Sequence, residues 1–166
     1  MAEILNLTGD DDAIIESLRS ELAKAAPNKR DRIIEKFVLA SLSATPWVGG
    51  FLAAAAEFRF DEGKIHAESI QAKWLEEHQA KIIELRNTLG EIRRRFESLG
   101  HDIDNRLQSE EYLGLVRKAF KVWDEAETSE KREYVANVVT NSAGTRLCSD
   151  DVIRLFIDWL DLYHES

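Results

Sequence analysis

The most regular hydrophobic pattern of the chain lies between residues 75 and 103. Apolar or uncharged side chains recur there at alternating spacings of three and four, and charged residues fill most positions between them. The members of this seam are Leu75, His78, Ile82, Leu85, Leu89, Ile92, Phe96, Leu99 and Ile103. The pattern predicts one long helix from about residue 63 to residue 99, roughly 55 Å in length, with a face suited to pairing with another helix.

The C-terminal end of this long helix has two interpretations. Gly100 either ends the helix, as glycine often does, or is tolerated inside a longer rod. The seam continues to Ile103, which favours the longer rod about as strongly as the glycine favours a stop. The two alternatives stay open at this point.

Shorter helices are predicted on both sides of the long one. One runs from about Lys29 to Ala44, and others follow after residue 109, each with an apolar stripe at a spacing of three or four. The stripe of the first of these later helices consists of Tyr112, Leu115, Val116, Ala119, Phe120 and Trp123. Thr128 or Ser129 is suited to cap the next helix, Gly144 to end it, and Ser149 to begin the last. A further helix is expected to begin near Gly9.

The last predicted helix, residues 150–163, is apolar around most of its circumference. Such a helix is typically buried on several sides. It either occupies the centre of the bundle or is covered by a further part of a larger protein, and we favour the second interpretation.

These elements together predict an all-α fold. Two prolines, eight glycines and no sustained period-two alternation favour helices over strands. We expect an elongated helical bundle of five to seven helices, with the long heptad-patterned helix at its centre. We expect residues 1–166 to form a single domain, the N-terminal part of a larger protein.

A second feature is the run of twenty uncharged residues from Phe37 to Ala56. Thr45 and Pro46 predict the start of a new helix inside it, and Gly49-Gly50 suggest a close approach between helices. A permanent membrane span is disfavoured by these interruptions and by the many small residues. Two hypotheses remain: an ordinary core corner, which we favour slightly, and an element that inserts conditionally into lipid. The residues concerned are Phe37, Leu42, Pro46, Trp47, Gly49, Gly50, Phe51 and Leu52.

The net charge of −9, from 31 acidic and 22 basic residues, argues against nucleic acid as a partner. Arg93-Arg94-Arg95 is the densest basic stretch, and among glutamates on a helix it is interpreted as a solvated face. One cysteine and an N-terminus without signal-peptide character predict a cytoplasmic protein, with recruitment to the inner membrane under the insertion hypothesis.

Motifs for catalysis or cofactor binding are not found in the sequence. It contains no phosphate-binding glycine loop, no zinc-protease motif and no nucleophile elbow. His78 in the seam is interpreted as a core or register-setting residue rather than a metal ligand. We therefore expect no enzyme activity and no catalytic, cofactor-binding or metal-binding residues.

A bundle with an uncharged stretch, Phe37 to Ala56, beside a long rod, Leu75 to Ile103, resembles the membrane-executing domains of immune and cell-death effectors. These are the fungal HeLo domains, the mixed-lineage kinase-like bundles and α-helical pore-forming toxins. The stretch Ser129 to Ala143 is also similar in style to segments of bacterial defence-associated proteins. The resemblance implies a non-enzymatic module that self-associates and engages membranes conditionally, in bacterial defence or cell death.

Under this hypothesis the partners are a second copy of the chain or partner helices, and the membrane surface after activation. The self-association seam would be Leu75, His78, Ile82, Leu85, Leu89, Ile92 and Phe96. The alternative is a soluble oligomerisation or adaptor module whose apolar run is ordinary core.

Overall fold

The computed structural model describes residues 29–51, 70–145 and 147–163, and for residues 70–76 it describes the backbone alone. None of these residues lies in a strand, and the predicted all-α fold is confirmed. The helices are α1 (Lys29–Ser43), α2 (Ile70–Ser98), a 3₁₀ turn (His101–Ile103), α3 (Asp104–Gln108), α4 (Glu110–Glu125), α5 (Ser129–Gly144) and α6 (Asp150–Leu162). Residues 47–51 are also helical. The helix expected near Gly9 lies outside the described residues.

The chain divides into two compact units. Of the described residues, 46–51 and 70–87 belong to the first unit, and 29–45 and 88–163 belong to the second. The boundary after Thr45 falls inside the uncharged run, and α2 contributes to both units. One domain covering all 166 residues stays a prediction.

Helix α4 is the centre of the second unit, where it packs against α1, α5 and α6. The apolar stripe predicted for α4 is confirmed, since every member is buried: Tyr112, Leu115, Val116, Ala119, Phe120 and Trp123. Phe37 of α1 lies against this stripe, with its ring centroid 6.2 Å from that of Phe120. Burial of these large aromatic side chains supplies the main hydrophobic stabilisation of the unit.

Three hydroxyl side chains begin the last three long helices. Ser109, Thr128 and Ser149 accept hydrogen bonds from backbone N–H groups three residues further on, at 3.2–3.4 Å. Acidic residues follow each cap in the first turn, where they stabilise the positive end of the helix dipole. The predicted starts at Thr128 and Ser149 are confirmed, as is the end of α5 at Gly144.

Gly100 ends the long helix, which decides between the two sequence interpretations. Helix α2 stops at Ser98, and Gly100 adopts φ 75° and ψ −161°, a conformation that is essentially restricted to glycine. The chain then turns through the 3₁₀ segment into α3. Leu99 is consequently outside the seam and packs beside Gly144. A Cβ atom added to Gly144 would lie 3.1 Å from the Cδ1 atom of Leu99.

Candidate functional site

In the described part of the uncharged run, residues 37–51, seven residues are buried and five are exposed. Phe37 and Phe51 are almost completely buried, Leu42 and Trp47 are half-buried, and Pro46 is exposed. Leu52 and residues 53–56 lie outside the described residues. No helix in the described ranges is both long and apolar enough to cross a membrane.

Thr45 and Pro46 do precede a helix, as predicted, since residues 47–51 are helical. The Thr45 hydroxyl is buried and donates backwards, to the carbonyls of Ser41 and Leu42 at 3.4 and 3.3 Å. Its proton therefore stabilises the end of α1.

The prediction that Gly49 marks a close approach between helices is wrong. Gly49 is exposed, and a Cβ atom added to it would have no other atom within 4 Å. Gly50 is also exposed. The spacing of two small residues resembled a helix contact, but this face of the short helix is directed towards solvent.

Trp47 and His78 lie together in the first unit. Their ring centroids are 5.1 Å apart, and the Lys81 ammonium group lies 5.2 Å from the centre of the Trp47 ring. His78, interpreted from the sequence as a core or register-setting residue, is half-buried at this contact. The lysine adds a cation–π interaction, worth about 0.5–1 kcal/mol at such exposure.

Five members of the heptad seam are buried within the single chain. Ile82, Leu85, Leu89, Ile92 and Phe96 are all at most 6% exposed, and the side chain of Leu75 is outside the described set. A second chain could reach these residues only if the bundle opened. Pairing between chains through the seam stays a prediction.

Arginine side chains connect elements that are distant in the sequence, and sequence reasoning missed them. Arg95 donates to Asn137 and Thr140 of α5 at 2.7 and 3.1 Å, so it is more than part of a solvated basic face. Arg30 of α1 donates to the carbonyl of Gly100 at 3.0 Å and to the Asp104 carboxylate. Nothing in local periodicity signals such bonds, because the partners are 42 to 74 residues apart.

The most prominent surface feature of the second unit is the outward side of α6. Ile157 and Leu160 are buried, whereas six large apolar residues near them are between 41% and 74% exposed. These six, which we call the α6 face, are Val152, Leu155, Phe156, Trp159, Leu162 and Tyr163. At 3.6 residues per turn they fall within one arc of roughly 120°. The sequence had indicated that this helix is apolar on several sides.

The aromatic members of the α6 face form a continuous row. The centroids of Phe156 and Trp159 are 5.8 Å apart, and those of Trp159 and Tyr163 are 5.5 Å apart. Aromatic side chains provide large contact areas at low conformational cost, and they dominate many protein interfaces.

Polar bonds hold α6 in place along its length. Arg106 binds Asp150 in the first turn through two contacts of 3.0 and 2.5 Å. Lys118 pairs with Asp158 at 2.7 Å, and Lys131 donates to the carbonyls of Asp161 and Tyr163. The helix therefore presents its apolar side from a defined position.

The charged residues of α6 lie along one edge of the α6 face. Four of the five are aspartates, namely Asp150, Asp151, Asp158 and Asp161, and the fifth is Arg154. By helical position they occupy the arc between the α6 face and the buried side. The α6 face is therefore uncharged, with an acidic border.

Other arrangements in the described part of the chain offer little chemistry. No three His, Cys, Asp or Glu side chains come together there as a metal site. A shallow cleft of about 410 Å³ before α6 is lined partly by Arg106, Cys148 and Asp150, and its arginine and aspartate bind each other. Burial raises the pKa of Tyr112, whose hydroxyl donates to the Val139 carbonyl at 2.8 Å, so this tyrosine is structural.

No protein-family model, curated protein or solved structure matches this chain. A function must therefore be argued from surfaces, and the α6 face is the strongest candidate in the described residues.

Proposed function

We propose that this chain is a non-enzymatic helical interaction module that binds a protein partner through the α6 face. The observation that carries the proposal is six large apolar side chains exposed together on one anchored helix. They expose on the order of 700 Å² in all, comparable with the upper end of the roughly 300–600 Å² of the largest apolar patch on a typical monomer. A patch of this size typically marks a surface for an interaction partner.

The border of the α6 face favours protein over lipid as the partner. Amphipathic helices that lie on membranes usually carry lysine and arginine on the polar side, because lipid head groups are often anionic. Helix α6 carries four aspartates and one arginine, and Arg106 and Lys118 pair with two of the aspartates. This border has no excess of positive charge, so it lacks the attraction to anionic lipid on which such membrane helices depend.

Conditional membrane engagement through Phe37–Ala56, in bacterial defence or cell death, stays a prediction. It would require Phe37 and Phe51 to leave sites where they are at most 2% exposed. Exposing each such aromatic side chain costs about 1.5–3 kcal/mol, so an activating ligand or partner would have to supply that free energy.

Site-specific photo-crosslinking in the native cell tests the proposal. A photoreactive amino acid is placed at Leu155 on α6, and a matched control carries it at Leu39, a half-exposed leucine of α1. We expect a defined protein adduct from position 155 that is absent from position 39. The adduct is identified by mass spectrometry.

A second variant separates a specific contact from chance collision. Trp159→Asp should abolish the adduct at position 155, because it places a charge in the middle of the apolar face. Equal adducts from both positions, or lipid adducts in place of protein, would contradict the proposal.

A further inference from the structure

We infer that the partner of the α6 face is a second copy of this chain, with the two α6 helices packed antiparallel. This inference rests on the proposed function and specifies its partner. It follows from the spacing of the exposed side chains, from their symmetry and from the area that they offer.

The spacing is that of a helix–helix seam. Val152, Phe156, Trp159 and Tyr163 are separated by four, three and four residues, which aligns them along one side of the helix. Leu155 and Leu162 flank this line. A straight helix with the same spacing is the shape that fits between such side chains, and a second α6 supplies it.

The same four positions are symmetric about a point between residues 157 and 158. A twofold axis there places Phe156 opposite Trp159 of the second copy, and Val152 opposite Tyr163. One surface thereby satisfies both copies, as a twofold interface requires.

The sizes of the four aligned side chains favour the antiparallel direction. In a parallel pair the bulky Trp159 and Tyr163 would each lie opposite their own equivalents, and the smaller Val152 would lie opposite its own. In an antiparallel pair Val152 lies opposite Tyr163, and the two helix dipoles oppose each other favourably. Asp158, which is then level with its equivalent, is already paired with Lys118.

The area agrees with a stable dimer. Each copy would contribute roughly 700 Å², so a symmetric pair buries up to about 1,400 Å², within the usual range of about 1,200–2,000 Å². Phe156 and Trp159 are in contact at the centre of the row, and tryptophan is among the residue types that carry most interface energy.

Sedimentation velocity of the purified chain, over roughly 1–200 μM, is the first test. We expect a dimer of the 18.9 kDa chain. Trp159→Asp and, independently, Leu155→Asp should each raise the dimer dissociation constant about tenfold or more. Leu39→Asp is the control, because it introduces the same charge at a half-exposed leucine of α1 and should leave the dissociation constant unchanged. Circular dichroism verifies that each variant is folded.

The direction of packing is measured with a spin label on Cys148, the one cysteine of the chain, which is exposed. In the antiparallel pair the two labels are about 30 Å apart along the axis, whereas a parallel pair brings them to about 10 Å. The longer distance supports the inference, and the shorter one overturns it.

Two failures can be told apart. The inference of a second copy is overturned if the chain stays monomeric. It is also overturned if neither aspartate substitution changes the dimer dissociation constant. If crosslinking from Leu155 then still identifies a different protein, the proposed interaction module stands with another partner. If no protein is crosslinked either, both are overturned.

Discussion

The rings of Phe37 and Phe96 meet edge-on, with centroids 5.1 Å apart and planes at 82°. Phe37 begins the uncharged run and Phe96 belongs to the heptad seam. Parts of the two stretches to which the sequence assigned separate functions therefore share one core in the second unit.

Phe37→Ala should lower the free energy of unfolding by about 3–5 kcal/mol, because it removes a fully buried ring and leaves a cavity. Leu39→Ala, two residues away but half-exposed, should change it by no more than about 0.5 kcal/mol. Urea titrations of both variants measure the difference. Equal effects would mean that Phe37 is not part of a packed core.

Arg106→Met should lower the free energy of unfolding by about 1.5–3 kcal/mol. The substitution removes two contacts with Asp150, a bond to the Ser142 carbonyl and the packing of the guanidinium 5.2 Å from the Tyr112 ring centre. Arg154→Met is the matched control on α6, since Arg154 forms a single exposed contact with Asp151. Similar losses in the two variants would argue against Arg106 as an anchor of α6.

Stability should fall with rising pH above about 10, partly because of Tyr112. Burial raises the pKa of its hydroxyl in the folded chain, so this contribution is complete below the unfolded pKa. Above the unfolded pKa, the unfolded state loses a proton that the folded state keeps. The free energy of unfolding then falls by about 1.4 kcal/mol per pH unit. Tyr112→Phe should remove this slope in urea titrations at pH 9–11, and Tyr134→Phe, at an exposed tyrosine, should not. An unchanged slope in Tyr112→Phe would contradict the assignment.

Gly100→Ala should destabilise the chain by about 1–3 kcal/mol, because φ 75° with ψ −161° is strained for any residue with a side chain. Gly49→Ala provides the opposite case. It lies in a helix with open space around its Cβ position, so alanine should stabilise by about 0.5–1 kcal/mol. Thermal unfolding of the two variants compares them directly, and shifts of the same sign would refute the contrast.

Local patterns predicted the helices well where each depends on its own residues. We could predict the stripe from Tyr112 to Trp123 and the caps at Thr128 and Ser149 without knowing which elements pack against them. All three predictions are correct. The same reasoning left the role of Gly100 undecided. Whether a glycine ends a helix depends on its backbone angles, and the sequence alone does not give those angles.

The candidate site was only partly accessible from sequence. The apolar character of residues 150–163 was visible, but which side is buried depends on the contacts of α6 with α4 and α5. The anchors Arg106 and Lys131 are bound to partners about 30 to 44 residues away in the sequence. Local periodicity gives no information about contacts at such a separation. Gly49 was misinterpreted for the same reason, since a small residue can lie either at a contact between helices or on the solvent-exposed surface.

Helix α6 buries only two large apolar side chains, Ile157 and Leu160, and is otherwise held by Arg106, Lys118 and Lys131. Such an element opens at a lower free energy than α4, whose apolar side is buried throughout. Its amide hydrogens should therefore exchange with deuterium earlier than those of α4. A partner bound to the α6 face would slow that exchange. The order in which the amides of α6 and α4 exchange therefore reports whether α6 is bound.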